Sequence, residues 1–188
     1  MGWFSLSGIK DGKNVELQPK SGQSVGRYFP ELIFALKEIK TKKLVLDCEI
    51  VLPVQGSFSF DLCCREFTLL KAGSRICLKS RPRTRSGRGW TRRRGYPANL
   101  IVFDLLIFAD WKLLGQPLKE RGWSLQIFFA QYLAQNLTFQ LSPVTHLDRA
   151  RRWLKMAGER LDGVIAKRLD LTYQSGERSG MRQADAYR

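Results

Sequence analysis

The chain has 188 residues, of which 44% are hydrophobic and 26% charged, which favours one packed domain and argues against general disorder. Its 32 Lys and Arg residues against 17 Asp and Glu residues give a net charge of +15, an excess that usually indicates an acidic partner such as nucleic acid. No apolar run approaches the roughly 20 residues of a membrane span, and the first residues lack a signal-peptide pattern. Four cysteines without a C-x-x-C pair argue against a zinc module and a disulfide framework. We therefore expect a cytoplasmic protein with no membrane partner.

Hydrophobic periodicity and turn signals predict short strands and helices that alternate along the chain. A turn at Asp11-Gly12 precedes the first predicted strand. Pro30 opens a helix, and its predicted buried face has Leu32, Ile33, Leu36 and Ile39. The predicted strands cover 14–18, 44–51, 58–60, 99–106, 137–141 and 161–168, and the predicted helices cover 30–40, 117–134 and 148–157. Because the helices are too few for repeating βαβ units, the pattern indicates an α+β fold with antiparallel sheets.

The segment 62–95 has no such pattern. From Arg65 to Gly95 there are nine Arg and two Lys against one acid, which places +10 of the total charge in this part of the chain. One interpretation is an arm that binds nucleic acid through phosphate contacts. The other is a disordered insert. A basic, aperiodic stretch cannot supply a buried face, so neither interpretation places it in the core.

Two predicted strands carry carboxylates where apolar residues are usual. Asp47 and Glu49 are two residues apart and project from the same face of their strand, so they need solvent, a counter-charge or a metal ion. A second strand pattern, LDGVIAKR, contains Asp162 and Lys167. With Phe103 from a third strand, these residues indicate a nucleotide site with carboxylates for a divalent ion, an ammonium for phosphate and an aromatic face for a base. The alternative is that Asp47 belongs to a loop and Asp162 to a turn.

The ordered strings PKSG, RYFPEL, LVLDCEIV, FSFD, LIVFDLL, PLKER, LDGVIAKR and Y-x-SG-x-R resemble the adenylation domain of bacterial ATP-dependent DNA ligases. The likeness is greatest to the short ligases of end-joining repair, and it covers about 10–61 and 97–181. It implies an ATP-grasp-like nucleotidyltransferase fold with two antiparallel sheets and flanking helices. It also implies ATP and Mg²⁺ as cofactors and nicked or broken double-stranded DNA as substrate. By this resemblance, residues 1–188 form a partial adenylation domain, incomplete and without the OB-fold domain that normally follows.

The resemblance also implies roles for individual residues. Glu49 matches the carboxylate that engages the nucleotide ribose and the metal ion, and Phe103 matches the aromatic residue that stacks on adenine. Asp162 stands where the family has an acidic residue beside the catalytic metal, and Lys167 closes that motif. Lys20, in PKSG, stands where a basic residue would contact phosphate.

The sequence departs from the family pattern in three places. Cys48 replaces the usual glycine between the two acids, which predicts extra bulk near the nucleotide. The late K-x-K that holds the triphosphate is absent after Met181. The nucleophilic motif K-x-D-G-x-R is also missing, and Lys10-Asp11-Gly12 has the wrong spacing, so we interpret Lys10 as a decoy and predict no catalytic lysine.

A frame shift would explain both the missing nucleophilic motif and the aperiodic segment 62–95. If the two bases before Met1 are AA, the Gly2 codon is GGA and the Ser5 codon is TCG, reading two bases earlier gives K-W-D-G-F-R-C, the missing motif. Residues 62–73, read two bases later, permit L-L-Q-R-I-H-P-A-E-S-R, which resembles the family's continuation. The alternative is chance, because degenerate codons permit many strings.

Three functions follow. The first is a DNA ligase adenylation domain that is inactive as translated. The second is a non-catalytic nucleic-acid binder that uses the Arg-rich stretch. The third is another nucleotidyltransferase, an RNA ligase or mRNA-capping enzyme, although PKSG, RYFPEL and VFDLL favour the DNA ligases.

Overall fold

The structure, a computed structural model, describes residues 5–19, 22–54, 57–59, 97–156, 163–175 and 180–185. Within these ranges the chain forms nine strands and three α-helices. The strands are β1 (Ser5–Asp11), β2 (Asn14–Pro19), β3 (Lys43–Val54), β4 (Ser57–Ser59), β5 (Asn99–Phe108), β6 (Trp111–Lys112), β7 (Phe139–Leu141), β8 (Gly163–Lys167) and β9 (Met181–Asp185). The helices are α1 (Pro30–Glu38), α2 (Leu118–Phe128), which continues as a π-helical turn over Phe129–Leu133, and α3 (Leu147–Met156). The predicted segment 62–95 lies outside the described residues.

The strands form two sheets. The larger sheet has the order β2-β1-β3-β5-β6, with β4 added to β3 and β7 added to β5. The smaller sheet pairs β8 with β9. Among the described strands, every pair is antiparallel except β5 with β7, which is parallel. The α+β class with two sheets and few helices is thus confirmed.

One hydrophobic core lies between the larger sheet and its helices. Helix α1 begins at Pro30, which has no N–H to leave unsatisfied, and it buries Leu32, Ala35 and Leu36. These side chains join a cluster of buried residues from β1, β3, β5, α2 and β7. None of the described helices is long and apolar enough to cross a bilayer.

Each element predicted from the sequence is present, with bounds that differ by three residues or fewer where the chain is described. Three strands were not predicted, namely β1, β6 and β9. Strand β1 lacks an apolar alternation because Gly8 and Lys10 occupy two of its buried positions, where a strand usually has apolar residues. The predicted turn after β1 is confirmed, and Gly12 adopts φ +58° there, which glycine tolerates without steric cost.

An irregularity in β5 positions the site. Asp47 of β3 pairs with Asp104 of β5, but the next residue, Cys48, pairs with Val102. Phe103 is therefore an extra residue in β5, a β-bulge. Since directly paired residues lie on the same face of a sheet, Asp104 shares the face of Asp47, opposite to that of Cys48 and Val102. Bulges of this kind re-aim side chains at functional sites.

Candidate functional site

An open cleft lies where the two sheets approach each other. Its lining includes Asp47 of β3, Asp104 of β5, Arg121 of α2, Lys167 of β8 and Tyr173 from the segment after β8. With Arg168, which follows Lys167, the cleft combines two acids, three bases and a phenol from separate parts of the chain. Such a convergence of polar side chains in a concave surface is typical of a ligand site.

Phe103 and Lys167 meet beside this cleft. The Lys167 Nζ atom lies 5.8 Å from the centroid of the Phe103 ring, within the range of a cation–π contact. Both side chains are half-buried. The two residues were predicted as parts of one site, although they are 64 positions apart, and the structure brings them together.

A buried ion pair supports the floor of the cleft. Arg121 Nη2 donates to Asp104 Oδ2 at 2.8 Å, and Arg121 Nε donates to Asp104 Oδ1 at 3.0 Å. The two side chains are only 4% and 3% exposed. Asp104 Oδ1 also accepts a hydrogen bond from the backbone N–H of Leu105. Both charges are therefore compensated by a bidentate ion pair that is shielded from water.

Arg121 also connects the larger sheet to the chain that follows β8. Its Nη1 atom donates to the carbonyl oxygen of Leu171 at 3.3 Å. The same carbonyl accepts from the backbone N–H of Leu118, in the first turn of α2, at 2.9 Å. The Tyr173 N–H donates to the Leu114 carbonyl at 2.9 Å. This segment satisfies N–H groups that a helix start leaves free, and it forms one wall of the cleft.

Tyr173 lies close to the carboxylates of Asp47 and Asp104. Burial, followed by the negative charges of Asp47 and Asp104, raises the pKa of Tyr173 to about 12, with Arg121 acting in the opposite direction. The phenol also shares a hydrogen bond with Asp47. Tyr173 therefore links β3 to the wall of the cleft as a neutral donor over the whole physiological range.

We expect the phenolate absorbance of the folded protein to show a tyrosine that ionises near pH 12, and we expect Tyr173→Phe to remove it. The folded pKa exceeds the ordinary value of 10, so the folded state keeps a proton that the unfolded state loses. The stability that Tyr173 contributes is thus complete below pH 10 and declines towards pH 12. Urea unfolding across this range should show a flatter pH dependence in Tyr173→Phe. Loss of a transition at pH 10 instead would contradict the burial of this phenol.

The remaining predicted site residues are placed as follows. Glu49 lies two residues from Asp47 on the same side of β3 and is only 3% exposed, and it is not among the residues that line the open cleft. Lys20 and Asp162 lie outside the described residues. In the described part of the chain, no group of three or more His, Cys, Asp or Glu residues is arranged to hold a metal ion.

The expectation for Cys48 was wrong. Its side chain is fully buried in the core, with Sγ 3.5 Å from the carbonyl oxygen of Leu6, and burial raises the pKa of the thiol. It lies on the face of β3 opposite to Asp47, because neighbouring residues of a strand point to opposite sides. The sulfur therefore fills core space and adds no bulk to the cleft.

Lys10 is not among the residues that line the cleft. It pairs with Leu44 on the core side of the sheet, and it is only 7% exposed. Its Nζ atom donates to the carbonyl oxygens of Lys37 at 2.7 Å and Ile39 at 2.5 Å, at the C-terminal end of α1. Burial lowers the pKa of this ammonium. A cation here satisfies carbonyls that the helix end leaves free and complements the helix dipole.

Three residues of the cleft were not singled out from the sequence: Asp104, Arg121 and Tyr173. A signal existed for each. Asp104 is a carboxylate inside the apolar strand NLIVFDLL, and Arg121 and Tyr173 belong to the strings PLKER and Y-x-SG-x-R that carried the family resemblance. What the sequence lacked was any indication that these residues contact one another.

Comparisons with known proteins agree with one another. A family model described as an ATP dependent DNA ligase domain matches residues 7–182. DNA ligase C2 of Mycolicibacterium smegmatis is 36% identical over 172 residues, which cover 90% of this chain and 44% of that protein. DNA ligase C of Mycobacterium tuberculosis is 31% identical over 173 residues, again 44% of that protein.

Solved structures show the same fold. The ligase domain of M. tuberculosis LigD superposes with a TM-score of 0.62 at 23% identity, covering 98% of this chain and 51% of that one. A mycobacterial DNA ligase D complexed with ATP and MES gives the same TM-score and identity, with 52% of its chain covered. The present chain thus spans less than half the length of the curated relatives it matches and about half of the solved chains.

Proposed function

Because this chain belongs to the ATP-dependent DNA ligase domain family, we propose that it is the nucleotide-binding part of a ligase adenylation domain and that its cleft holds ATP. Ligation of DNA by a protein containing this domain, a role in repair and a cytoplasmic location are parts of the same proposal. The DNA substrate would be nicked or broken double-stranded DNA.

The observation that carries this proposal is the approach of Lys167 to Phe103. The ring offers an aromatic face for adenine, and the ammonium group offers a positive charge for the phosphates of the nucleotide. A solved relative of the same fold was obtained with ATP bound. Lys20 is proposed as a further phosphate contact.

Mg²⁺ would be held by carboxylates of this site together with phosphate oxygens of the nucleotide. Magnesium is usually bound by one or two protein carboxylates plus substrate phosphates, so it does not need a complete cage of protein ligands. Glu49 and Asp162 are the proposed ligands, and Asp47 lies on the same side of β3 as Glu49. When bound, the ion would neutralise phosphate charge.

We further propose that this 188-residue chain does not carry out adenylyl transfer to itself. That step needs a neutral lysine amine that attacks the α-phosphate, forms an N–P bond and releases pyrophosphate. The chain contains no K-x-D-G-x-R string. Lys10 is held by two carbonyls at the end of α1, on the core side of the sheet, which supports its interpretation as a decoy. A shifted reading frame at Met1 remains our explanation for the missing motif.

The experiment is incubation of the purified chain with ATP and Mg²⁺, followed by intact-mass measurement and calorimetry on the same sample. We expect ATP to bind without any covalent gain of AMP mass. A Lys10→Met variant is the matched control. A covalent adduct on the unaltered chain that disappears in Lys10→Met would show that Lys10 is the nucleophile and would refute this part of the proposal. Absence of ATP binding would refute the nucleotide site itself.

A further inference from the structure

Helix α3 has a strongly basic exposed face. Arg149, Arg151 and Arg152 are exposed, whereas Ala150 and Trp153 are half-buried. Within the sequence LDRARRWLKM, the arginines fall within about one helical turn. Because the helix rises about 1.5 Å per residue, Arg149 and Arg152 lie only about 4.5 Å apart along the axis. Arg149 and Arg152, three residues apart, are therefore neighbours on the helix surface, and Arg151 lies about 100° further round the exposed side, next to Arg152.

These three charges are not neutralised by any residue that the structure describes. Asp148, on the same helix, makes no ion pair with any of them in the described ranges, although Arg152 is four residues away. Two other arginines of the described ranges do form ion pairs, since Arg121 contacts Asp104 and Arg168 contacts Asp170. Clustered positive charge without intramolecular partners favours an external polyanion.

The position of the helix relates this face to the cleft. Helix α3 lies beside β8, and β8 ends at Lys167, which lines the cleft. The neighbouring strand β9 adds another exposed base, Arg182, opposite Ala166 of β8. If one end of a long polyanionic chain lay in the cleft, its neighbouring part would therefore be close to the basic face of α3.

We propose that the exposed face of α3, formed by Arg149, Arg151 and Arg152, binds the phosphate backbone of double-stranded DNA next to the cleft. This inference rests on the proposed function, because the family relationship makes DNA the polyanion that must reach the cleft. Arginine suits the task, since its planar fork donates two hydrogen bonds to one phosphate. Such contacts position a duplex without reading its sequence.

The test compares two triple variants of the full chain. In the first, Arg149, Arg151 and Arg152 are each replaced by glutamine (R149Q, R151Q, R152Q). In the matched control, three exposed lysines that do not line the cleft are replaced instead (K13Q, K40Q, K42Q). Each triple lowers the net charge by three from +15 and leaves the Arg-rich stretch 65–95 unchanged.

Fluorescence anisotropy with a labelled nicked duplex, measured between about 50 and 200 mM salt, gives the readout. Three lost phosphate contacts should make the slope of log K against log salt less negative by about 2.7 and weaken binding about tenfold or more. The control triple should keep the slope of the unaltered chain. Equal slopes for the two triples would overturn the proposal and would assign DNA binding to general charge or to the Arg-rich stretch.

Two further measurements keep the outcomes separate. Circular dichroism and ATP calorimetry on the arginine triple should match the unaltered chain, because these side chains are exposed and do not line the cleft. If ATP binds normally and the arginine triple binds DNA with the same affinity and salt slope as the unaltered chain, the assignment of α3 fails and the proposed function stands. If no form of the chain binds ATP, the proposed function fails. Tighter binding of an RNA duplex of equal length would overturn the assignment to DNA.

Discussion

Methionine in place of Arg121 is expected to lower the free energy of unfolding by about 3–5 kcal/mol, because it leaves the Asp104 carboxylate buried without its counter-charge. The two side chains are 4% and 3% exposed and are joined by three hydrogen bonds, so water cannot replace the lost partner. Urea unfolding followed by circular dichroism measures the change. The variant should also bind ATP more weakly, since Arg121 holds the Leu171 carbonyl in the cleft wall.

The chain offers a matched control in Arg168→Met. Arg168 forms an ion pair with Asp170 at the same kind of distance, but both side chains are 65% exposed. Water and salt can replace this contact, so little or no change in stability is expected. Replacing both buried residues together, Asp104→Leu with Arg121→Met, should recover much of the loss, because no isolated charge remains. If Arg121→Met proves as harmless as Arg168→Met, the Asp104 carboxylate is not desolvated in the folded protein.

The second large effect concerns Phe103. Removing its ring with Phe103→Ala should weaken the binding of ATP by about 1–3 kcal/mol, the usual contribution of one aromatic side chain stacked on a base. This corresponds to roughly 5- to 150-fold in the dissociation constant, which isothermal calorimetry can measure. Phe103→Trp, which keeps an aromatic face, should retain most of the affinity.

Phe34→Ala provides the comparison for this experiment. Phe34 is 53% exposed and lies on α1, on the core side of the larger sheet and away from the cleft. Its loss removes the same number of atoms but should leave the affinity for ATP unchanged. Similar losses in both variants would mean that Phe103 acts through general stability and does not stack on the base.

Local sequence patterns were sufficient for most of the secondary structure and for part of the site. Periodicity located α1, β3, β5 and the long helix α2, because an amphipathic helix and a buried strand each have a characteristic spacing of apolar residues. Phe103 and Lys167 were assigned to one site. In the structure, Lys167 Nζ lies 5.8 Å from the centroid of the Phe103 ring. The residue types suggested a shared nucleotide site and the family resemblance gave each residue a role, whereas spacing within one strand carries no information about another.

Other features depend on contacts between distant segments. Strand β1 has glycine and serine where a strand usually has apolar residues, and it is stabilised by pairing with β2 and β3 on its two sides. The bulge at Phe103 arises from the register between β3 and β5, which no local pattern specifies. Cys48 faces the core because neighbouring residues of a strand point to opposite sides, although its place between two acids suggested the site.

The sequence by itself determined the class of fold, the family and the surplus of positive charge, because these follow from composition, local periodicity and the order of short motifs. The tertiary structure decided which charges are compensated. Asp104 and Arg121 are 17 residues apart and become one buried pair, whereas the arginines of α3 are neighbours in the chain and stay exposed. The reason is physical. The free energy of a charge depends on the water and the counter-charges around it, and folding, not chain order, sets both.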